Sequence, residues 1–186
     1  MKIAIFASGG GSNAQKIINY FRHHPKIGVA LIVSNNTNAG VIDLAQKEDI
    51  PFYILQDGEL EEEEFSEVLV ALNIDFIVLA GFLKKIPNDI IKAYPNKIVN
   101  IHPALLPKYG GKGMYGMNVH KAVVESGEKE SGMTIHYVNE NYDEGSIIEQ
   151  HKVELSFSDT PEDCAKKVLS LEHKFFAPCI ERLLTE

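Results

Sequence analysis

Asn100 and His102 stand two positions apart in "NIHPALLPKYGG" (100–111), directly after the apolar run "KIV". Side chains at i and i+2 of a strand point the same way, so both would face one crevice. An amide can donate and accept, and an imidazole can donate, accept and carry charge. The pair therefore suits hydrogen bonding and proton transfer to a bound molecule, although a lone histidine is more often structural. Asp143, in "NYDEG", could serve that chemistry, but taken by itself it reads better as a turn aspartate ahead of Gly145. "SGGGSN" (8–13) follows an apolar run and opens a helical pattern. Its glycines let backbone N–H groups approach an anion, and a helix N-terminus adds favourable field. It is neither GxGxxG nor GxxxxGK[ST], so a monophosphate suits it better than a triphosphate. A tight strand-to-helix turn with Ser12 as N-cap explains the same residues.

Glu172 shares a helical stripe with Ala165, Val168, Leu169, Phe176, Cys179, Ile180 and Leu183. A carboxylate on a core-facing stripe needs a partner, either in an ion pair or in a ligand site. His102, His120, His136 and His151 match no compact zinc spacing, so no metal is expected.

These residues need a scaffold that brings four separate segments together. Short, solid apolar runs alternate with helical patterns: "KIAIFA", "KIGVALIVSNN", "PFYIL", "DFIVLAG" and "KIVNIH" read as strands. Helices are expected at "SNAQKIINYFRHH", "AGVIDLAQKED", about 60–72, from Pro87 in a first-turn position, and at "GMNVHKAVVESG" closed by Gly127. Such a pattern predicts an α/β fold with a doubly wound, mostly parallel sheet covered on both faces. "SGMTIHYVNE" and "GSIIEQHKVEL" add an antiparallel C-terminal strand pair, and a long helix over 161–184 closes the chain. The pattern reads as a single domain, 1–186. Ligands of open α/β sheets bind outside the carboxyl ends of the strands. "SGGGSN", "AGFLKKI", "NIHP" and "NYDEG" each follow a strand.

Composition limits the possible partners. The 186 residues are 45% hydrophobic and 24% charged, with a net charge of −8 and no Lys/Arg run. Nucleic-acid binding, which needs a basic field, is not expected. No apolar run approaches the ~20 residues of a membrane span, and the first run meets glycines rather than a cleavage site. A cytoplasmic location is expected. Cys164 and Cys179 lie far from CxxC spacing and read as buried, reduced thiols. "GELEEEEFSE" reads as a solvated helix N-terminus.

Joined in order, "SGGGSN", "LAGFLKKIP", "NIHPALLPKYGG", "HYVNENYDEG" and "LEHKFF" resemble the folate-dependent formyltransferases, from residue 1 to about residue 180. "SGGGSN" and "LEH" favour the glycinamide ribonucleotide branch. The resemblance implies a Rossmann-like formyltransferase fold. It also implies transfer of the formyl group of 10-formyltetrahydrofolate, as co-substrate and without metal, to the primary amine of phosphoribosylglycinamide in purine biosynthesis. The amine would attack directly, through an oxyanionic tetrahedral intermediate. Asn100, His102 and Asp143 match the family's catalytic trio, in which Asp143 is expected to fold back against His102 and, as an opposite charge close by, to raise the pKa of its ring. Gly11, Ser12 and Asn13 match its substrate-phosphate loop, and Leu169, Ser170, Leu171 and Glu172 the stretch that holds the rest of that substrate. Leu83, Lys84, Lys85 and Ile86, with Asn100, Asn139, Glu140, Asn141, Tyr142 and Asp143, match the folate segments. Pro107 matches a proline expected to be cis. Two features depart from the pattern: the stretch "KYGGKGMYGMNVHKA", and Glu62 where an arginine often meets the folate tail. Partners implied are small molecules, with the chain a monomer or weak homodimer. The alternatives are a formyltetrahydrofolate hydrolase, another amine formyltransferase such as methionyl-tRNA formyltransferase, or a non-catalytic nucleotide-binding module. The transfer RNA enzyme needs a basic surface and a further C-terminal domain, and the hydrolase an N-terminal regulatory domain; neither fits the sequence expected here.

Overall fold

In the computed structural model, which describes residues 1–185, seven strands form one sheet in the order β3-β2-β1-β4-β5-β6-β7. The strands are β1 (Lys2–Phe6), β2 (Gly28–Ser34), β3 (Phe52–Ile54), β4 (Phe76–Leu79), β5 (Ile98–His102), β6 (Glu130–Tyr137) and β7 (Ile147–Glu154). The first five run parallel, and β6 and β7 are antiparallel to their neighbours, as the sequence predicts. The helices are α1 (Ser12–Phe21), α2 (Gly40–Lys47), α3 (Glu63–Ala71), α4 (Asn88–Ala93), α5 (Met117–Glu125) and α6 (Pro161–Thr185).

The solid apolar strands have a direct physical cause. Alternate residues of β1 enter two different cores: Ile3 and Ile5 pack with α1, α2, α5 and α6, whereas Ala4 and Phe6 pack with α3 and α4. With both faces covered, the stretch from Ile3 to Phe6 is apolar throughout, and only Lys2 at the exposed start of β1 is polar. From β1 the chain winds outward to β2 and β3, then returns to β4 on the other side of β1. The reversal lies between β1 and β4, where loops on their carboxyl ends diverge and leave a crevice.

Three local expectations are corrected. The helix expected over 60–72 is split, with a 3-10 turn at Glu59–Glu61 and α3 starting at Glu63. Glu59 takes the Gln56 N–H at 2.7 Å and the Tyr53 hydroxyl through its side chain, and Glu62 becomes the extended N-cap (ψ 142). Ser12 is the first helical residue rather than the N-cap; Gly11 holds that place with φ 78. Pro87 likewise sits one position earlier than expected, as the N-cap of α4. At α6, Thr160 and Asp163 bond reciprocally, Asp163 N–H to Thr160 Oγ1 at 3.2 Å and Thr160 N–H to Asp163 Oδ2 at 3.1 Å. This is a capping box ahead of a long helix, with Pro161 at its allowed first position.

The stripe on α6 is also shifted. Cys164, Val168, Glu172, Phe176, Ala177, Cys179 and Ile180 are buried, while Leu169 is exposed. Both cysteines are buried and free. Among the described residues, no helix is long and apolar enough to cross a membrane.

Candidate active site

β5 delivers Asn100 and His102 to one face and turns Ile101 into the core, where it packs with Ile3 and Ile5. β6 is paired with β5 so that Asn100 stands opposite His136, and His102 opposite Thr134. Directly paired residues share a face, so a second imidazole enters the same place. The loop between β6 and β7 then folds back over that face. Gly145 permits this, since a Cβ there would stand 1.7 Å from the Tyr137 carbonyl oxygen. Asp143, in a left-handed turn conformation (φ 57), reaches the pair.

The contacts form a closed cluster. His102 Nδ1 lies 3.5 Å from Asp143 Oδ2, and Asn100 Nδ2 lies 3.4 Å from Asp143 Oδ1. His136 Nδ1 donates to the Tyr137 carbonyl at 2.8 Å, which leaves its Nε2 to accept from Asn100 Nδ2 at 3.1 Å. That bond fixes which way the Asn100 amide points. His102 Nε2 meets the Tyr109 carbonyl at 2.8 Å, so it must carry the ring proton. Asp143 Oδ2 takes the Gly111 N–H at 2.9 Å. Thr134 secures the chain after His102: its hydroxyl donates to the Ala104 carbonyl at 2.6 Å and accepts the Leu106 N–H at 3.0 Å. The Leu106–Pro107 bond is cis, as expected.

Burial decides the charge of the imidazole. It pushes the His102 ring below the ordinary histidine range, outweighing the nearby Asp143 charge and the Tyr109 carbonyl, which pull the other way. The expectation that Asp143 would lift His102 above that range is therefore corrected: the carboxylate opposes the burial but does not overcome it. For Asp143, burial pushes upward, yet its polar surroundings, with the Gly111 N–H bonded to Oδ2, prevail and hold it below the ordinary value. At neutral pH the cluster is a neutral imidazole beside a carboxylate.

This cluster lies in a cavity of about 610 Å³, within the usual range for small-molecule sites. Leu79, Phe82, Ile86 and Val138 give it an apolar side suited to a flat heterocycle. Leu83, Lys84, Lys85, Asn139, Asn141 and Tyr142 also line it, whereas Glu140 does not. The loop after β4 is tied down by Ser8, whose hydroxyl accepts the Leu83 N–H at 2.9 Å and donates to Asn35 Oδ1 at 2.5 Å. At the other end Asn13, Leu169 and Glu172 line it, whereas Gly11 and Ser12 do not. Ser170 and Leu171 lie off the cavity, with Leu171 packed against the core.

Glu172 has no ion-pair partner among the described residues; Asn13 Nδ2 donates to its Oε2 at 2.6 Å instead. Burial pushes its carboxyl above the ordinary range against that hydrogen bond. Asn13 Oδ1 is buried without a donor among the described residues. Two adjacent acceptors thus face the cavity end, an arrangement for amine, amide or hydroxyl donors. Beside them, α1 begins with no side-chain cap, so its first N–H groups are left for an anion. Gly11 is required there: its φ is 78, and a Cβ would meet Val41 side-chain atoms at 2.9 Å.

His136 and His120 also line the cavity, and sequence reasoning gave neither a role beyond a discarded metal set. The alternation in "TIH" could have placed His136 beside Asn100, but only with the β5–β6 register known. His151 lies elsewhere, stacked on Phe175. No group of metal-ligating side chains occurs among the described residues.

The sequence matches the formyl transferase family over residues 1–180. It is 45% identical to the chloroplastic phosphoribosylglycinamide formyltransferase of Arabidopsis thaliana, with all of this chain and 66% of that protein aligned. It is 34% identical to the phosphoribosylglycinamide formyltransferase of Bacillus subtilis, covering 98% of this chain and 94% of the relative. The crystal structure of phosphoribosylglycinamide formyltransferase from Bacillus halodurans superposes with a TM-score of 0.90 at 32% identity, covering 100% of this chain and 96% of that one. The chain spans 66% and 61% of the two plant relatives, from Arabidopsis thaliana and Vigna unguiculata. From the match to nearly its whole length, the chain belongs to the formyl transferase family.

Proposed function

We propose that the protein transfers the formyl group of 10-formyltetrahydrofolate to the primary amine of phosphoribosylglycinamide, a step of purine biosynthesis. The observation that carries this reading is one cavity holding an amide, an imidazole and a carboxylate at its centre. An uncapped helix N-terminus lies at one end and an apolar slot at the other. The helix N-terminus, with Gly11, Ser12 and Asn13, suits the phosphate. Glu172 and Asn13 suit the donors of the glycinamide and ribose part. Leu83, Ile86 and Val138 suit the pterin of the formyl donor, which brings an activated carbonyl to the site.

The roles of the trio follow from their states. Asn100 keeps one N–H on His136 Nε2 and turns the other, which spans a long 3.4 Å to Asp143 Oδ1, toward the carbonyl oxygen as charge develops there; a donor of this kind contributes roughly 3–4 kcal/mol. His102, neutral at the outset, takes the proton of the attacking amine at Nδ1. The resulting imidazolium faces Asp143, whose charge stabilises it, and can return the proton to the departing nitrogen. The reading places the enzyme in the cytoplasm as a monomer or weak homodimer.

The test is formyl transfer with purified protein, 10-formyltetrahydrofolate, and phosphoribosylglycinamide either present or omitted. Formylated product only with the amine is the expected result. Formate release without it would identify a hydrolase, and donor binding without turnover a binding module.

A further inference from the structure

The two reactive side chains His102 and Asp143 are both held by the segment 109–111, and that segment is anchored outside the cavity. Tyr109 has φ 58, a left-handed conformation rare for a bulky residue. In that conformation its carbonyl accepts His102 Nε2–H at 2.8 Å. Two residues on, the Gly111 N–H donates to Asp143 Oδ2 at 2.9 Å. The Tyr109 carbonyl is what selects the Nε2–H tautomer of a neutral His102 and leaves Nδ1 bare toward Asp143.

The ring of Tyr109 packs against the core, and its hydroxyl is fastened to a carboxylate. The Tyr109 hydroxyl donates to Glu128 Oε1 at 3.0 Å, and the Lys108 ammonium meets the same oxygen at 2.8 Å. Strained backbone persists only where its surroundings over-determine it, and here two consecutive side chains converge on one atom. Glu128 is itself set by the end of α5. Gly127 takes φ 67, and the Glu128 N–H returns to the Val123 carbonyl at 3.4 Å. Glu128 is not among the residues that line the cavity.

We propose that Glu128 is a positioning residue for His102. By fastening Lys108 and Tyr109, it holds the Tyr109 carbonyl against Nε2 and so fixes the tautomer and the ring orientation of the imidazole. The kinetic part of this inference rests on the formyl-transfer reading; the tautomer part does not.

The experiment compares the whole chain with Glu128→Ala, Glu128→Gln and Tyr109→Phe, reading His102 ring nitrogen shifts by NMR, steady-state kinetics and Tm. The unaltered protein should show His102 neutral and protonated at Nε2. Glu128→Ala and Tyr109→Phe should each mix the tautomers and lower kcat by roughly tenfold or more, the scale expected when a reactive group is slightly misplaced. KM should change little. Glu128→Gln still accepts from the Tyr109 hydroxyl and should recover most of both signals. Unchanged ring shifts and unchanged kcat in Glu128→Ala, with or without a drop in Tm, would reduce Glu128 to a surface anchor and overturn the proposal. Should Glu128→Ala fail to fold, Tyr109→Phe decides by the same two readouts. If the unaltered protein transfers no formyl group, the formyl-transfer reading fails, and the ring shifts still judge Glu128.

Discussion

His102 Nδ1 faces Asp143 Oδ2 at 3.5 Å, and burial leaves the ring harder to protonate than a free imidazole despite that carboxylate. Their pairing therefore matters most when the ring becomes charged during the reaction. Asp143→Asn keeps the shape and removes the charge. The His102 ring should then titrate lower still, and kcat should fall by roughly a hundredfold or more, the range for an impaired general base. Ring titration by NMR and steady-state rates check both. An unchanged ring and rate would leave Asp143 as a turn residue alone.

The same lowered value has a consequence for stability. Between the folded and unfolded values of His102, the unfolded chain holds more protons. This group's contribution to stability is thus present above the ordinary imidazole value of about 6.5 and is lost as pH falls from there through the folded value. Asp143→Asn lowers the folded value and should make that loss steeper. Unfolding midpoints measured between pH 7 and 5 would reveal it.

Gly11 is predicted to matter twice. Its left-handed φ and the 2.9 Å approach of a would-be Cβ to Val41 make Gly11→Ala strained. A loss of more than about 1 kcal/mol is expected in denaturant unfolding. Because the N–H groups at the start of α1 would shift with it, KM for phosphoribosylglycinamide should rise more than KM for the formyl donor. Ser12→Ala, which leaves the backbone alone, should raise the first KM without the loss of stability. Equal effects on both substrates would remove the phosphate role from this loop.

Much of this is legible in the sequence, for reasons tied to particular residues. The solid runs at Ile3–Phe6 and Phe76–Leu79 require cover on both faces, which alone points to a parallel sheet. The spacing of Asn100 and His102 put them on one face. The state of the imidazole was not legible, because sequence shows the neighbouring carboxylate but not the burial that overrides it. His136 was missed because its place depends on pairing with Asn100 across strands 36 residues apart. Glu172 was seen on a buried stripe, but its partner Asn13 lies 159 residues away. The break at Glu62 came from a side chain competing locally with the helix, which periodicity cannot detect.

Gly145 offers a structural test of how Asp143 is delivered. A Cβ there would meet the Tyr137 carbonyl oxygen at 1.7 Å and His136 Nδ1 at 3.4 Å. Gly145→Ala must push the β6–β7 loop outward and carry Asp143 with it. The expected outcome is a lower Tm together with a fall in kcat similar to that of Asp143→Asn. If kcat were preserved while Tm dropped, Asp143 would be acting from a position the loop does not control.

Glu172 is the buried carboxylate whose removal should separate binding from stability. It is 8% exposed, and its carboxylate accepts from the Asn13 amide. Burial holds its folded value above that of the unfolded chain. The folded state then binds the extra proton, so this group weakens stability as pH rises through the unfolded value of about 4.3 and up to the folded value. Glu172→Gln keeps an acceptor for the Asn13 amide and removes the charge that burial disfavours. Its Tm at neutral pH should accordingly be unchanged or higher, and its stability should lose some of its decline with pH across that window. The proposed substrate, however, would present amine, amide or hydroxyl donors to this site, and hydrogen bonds to a charged acceptor are worth about 1.5–3 kcal/mol. The variant should therefore lose roughly tenfold to a hundredfold in kcat/KM for phosphoribosylglycinamide, with KM for the formyl donor little altered. A variant that is less stable at neutral pH yet kinetically normal would make Glu172 a structural member of the α1–α6 contact and remove it from the site.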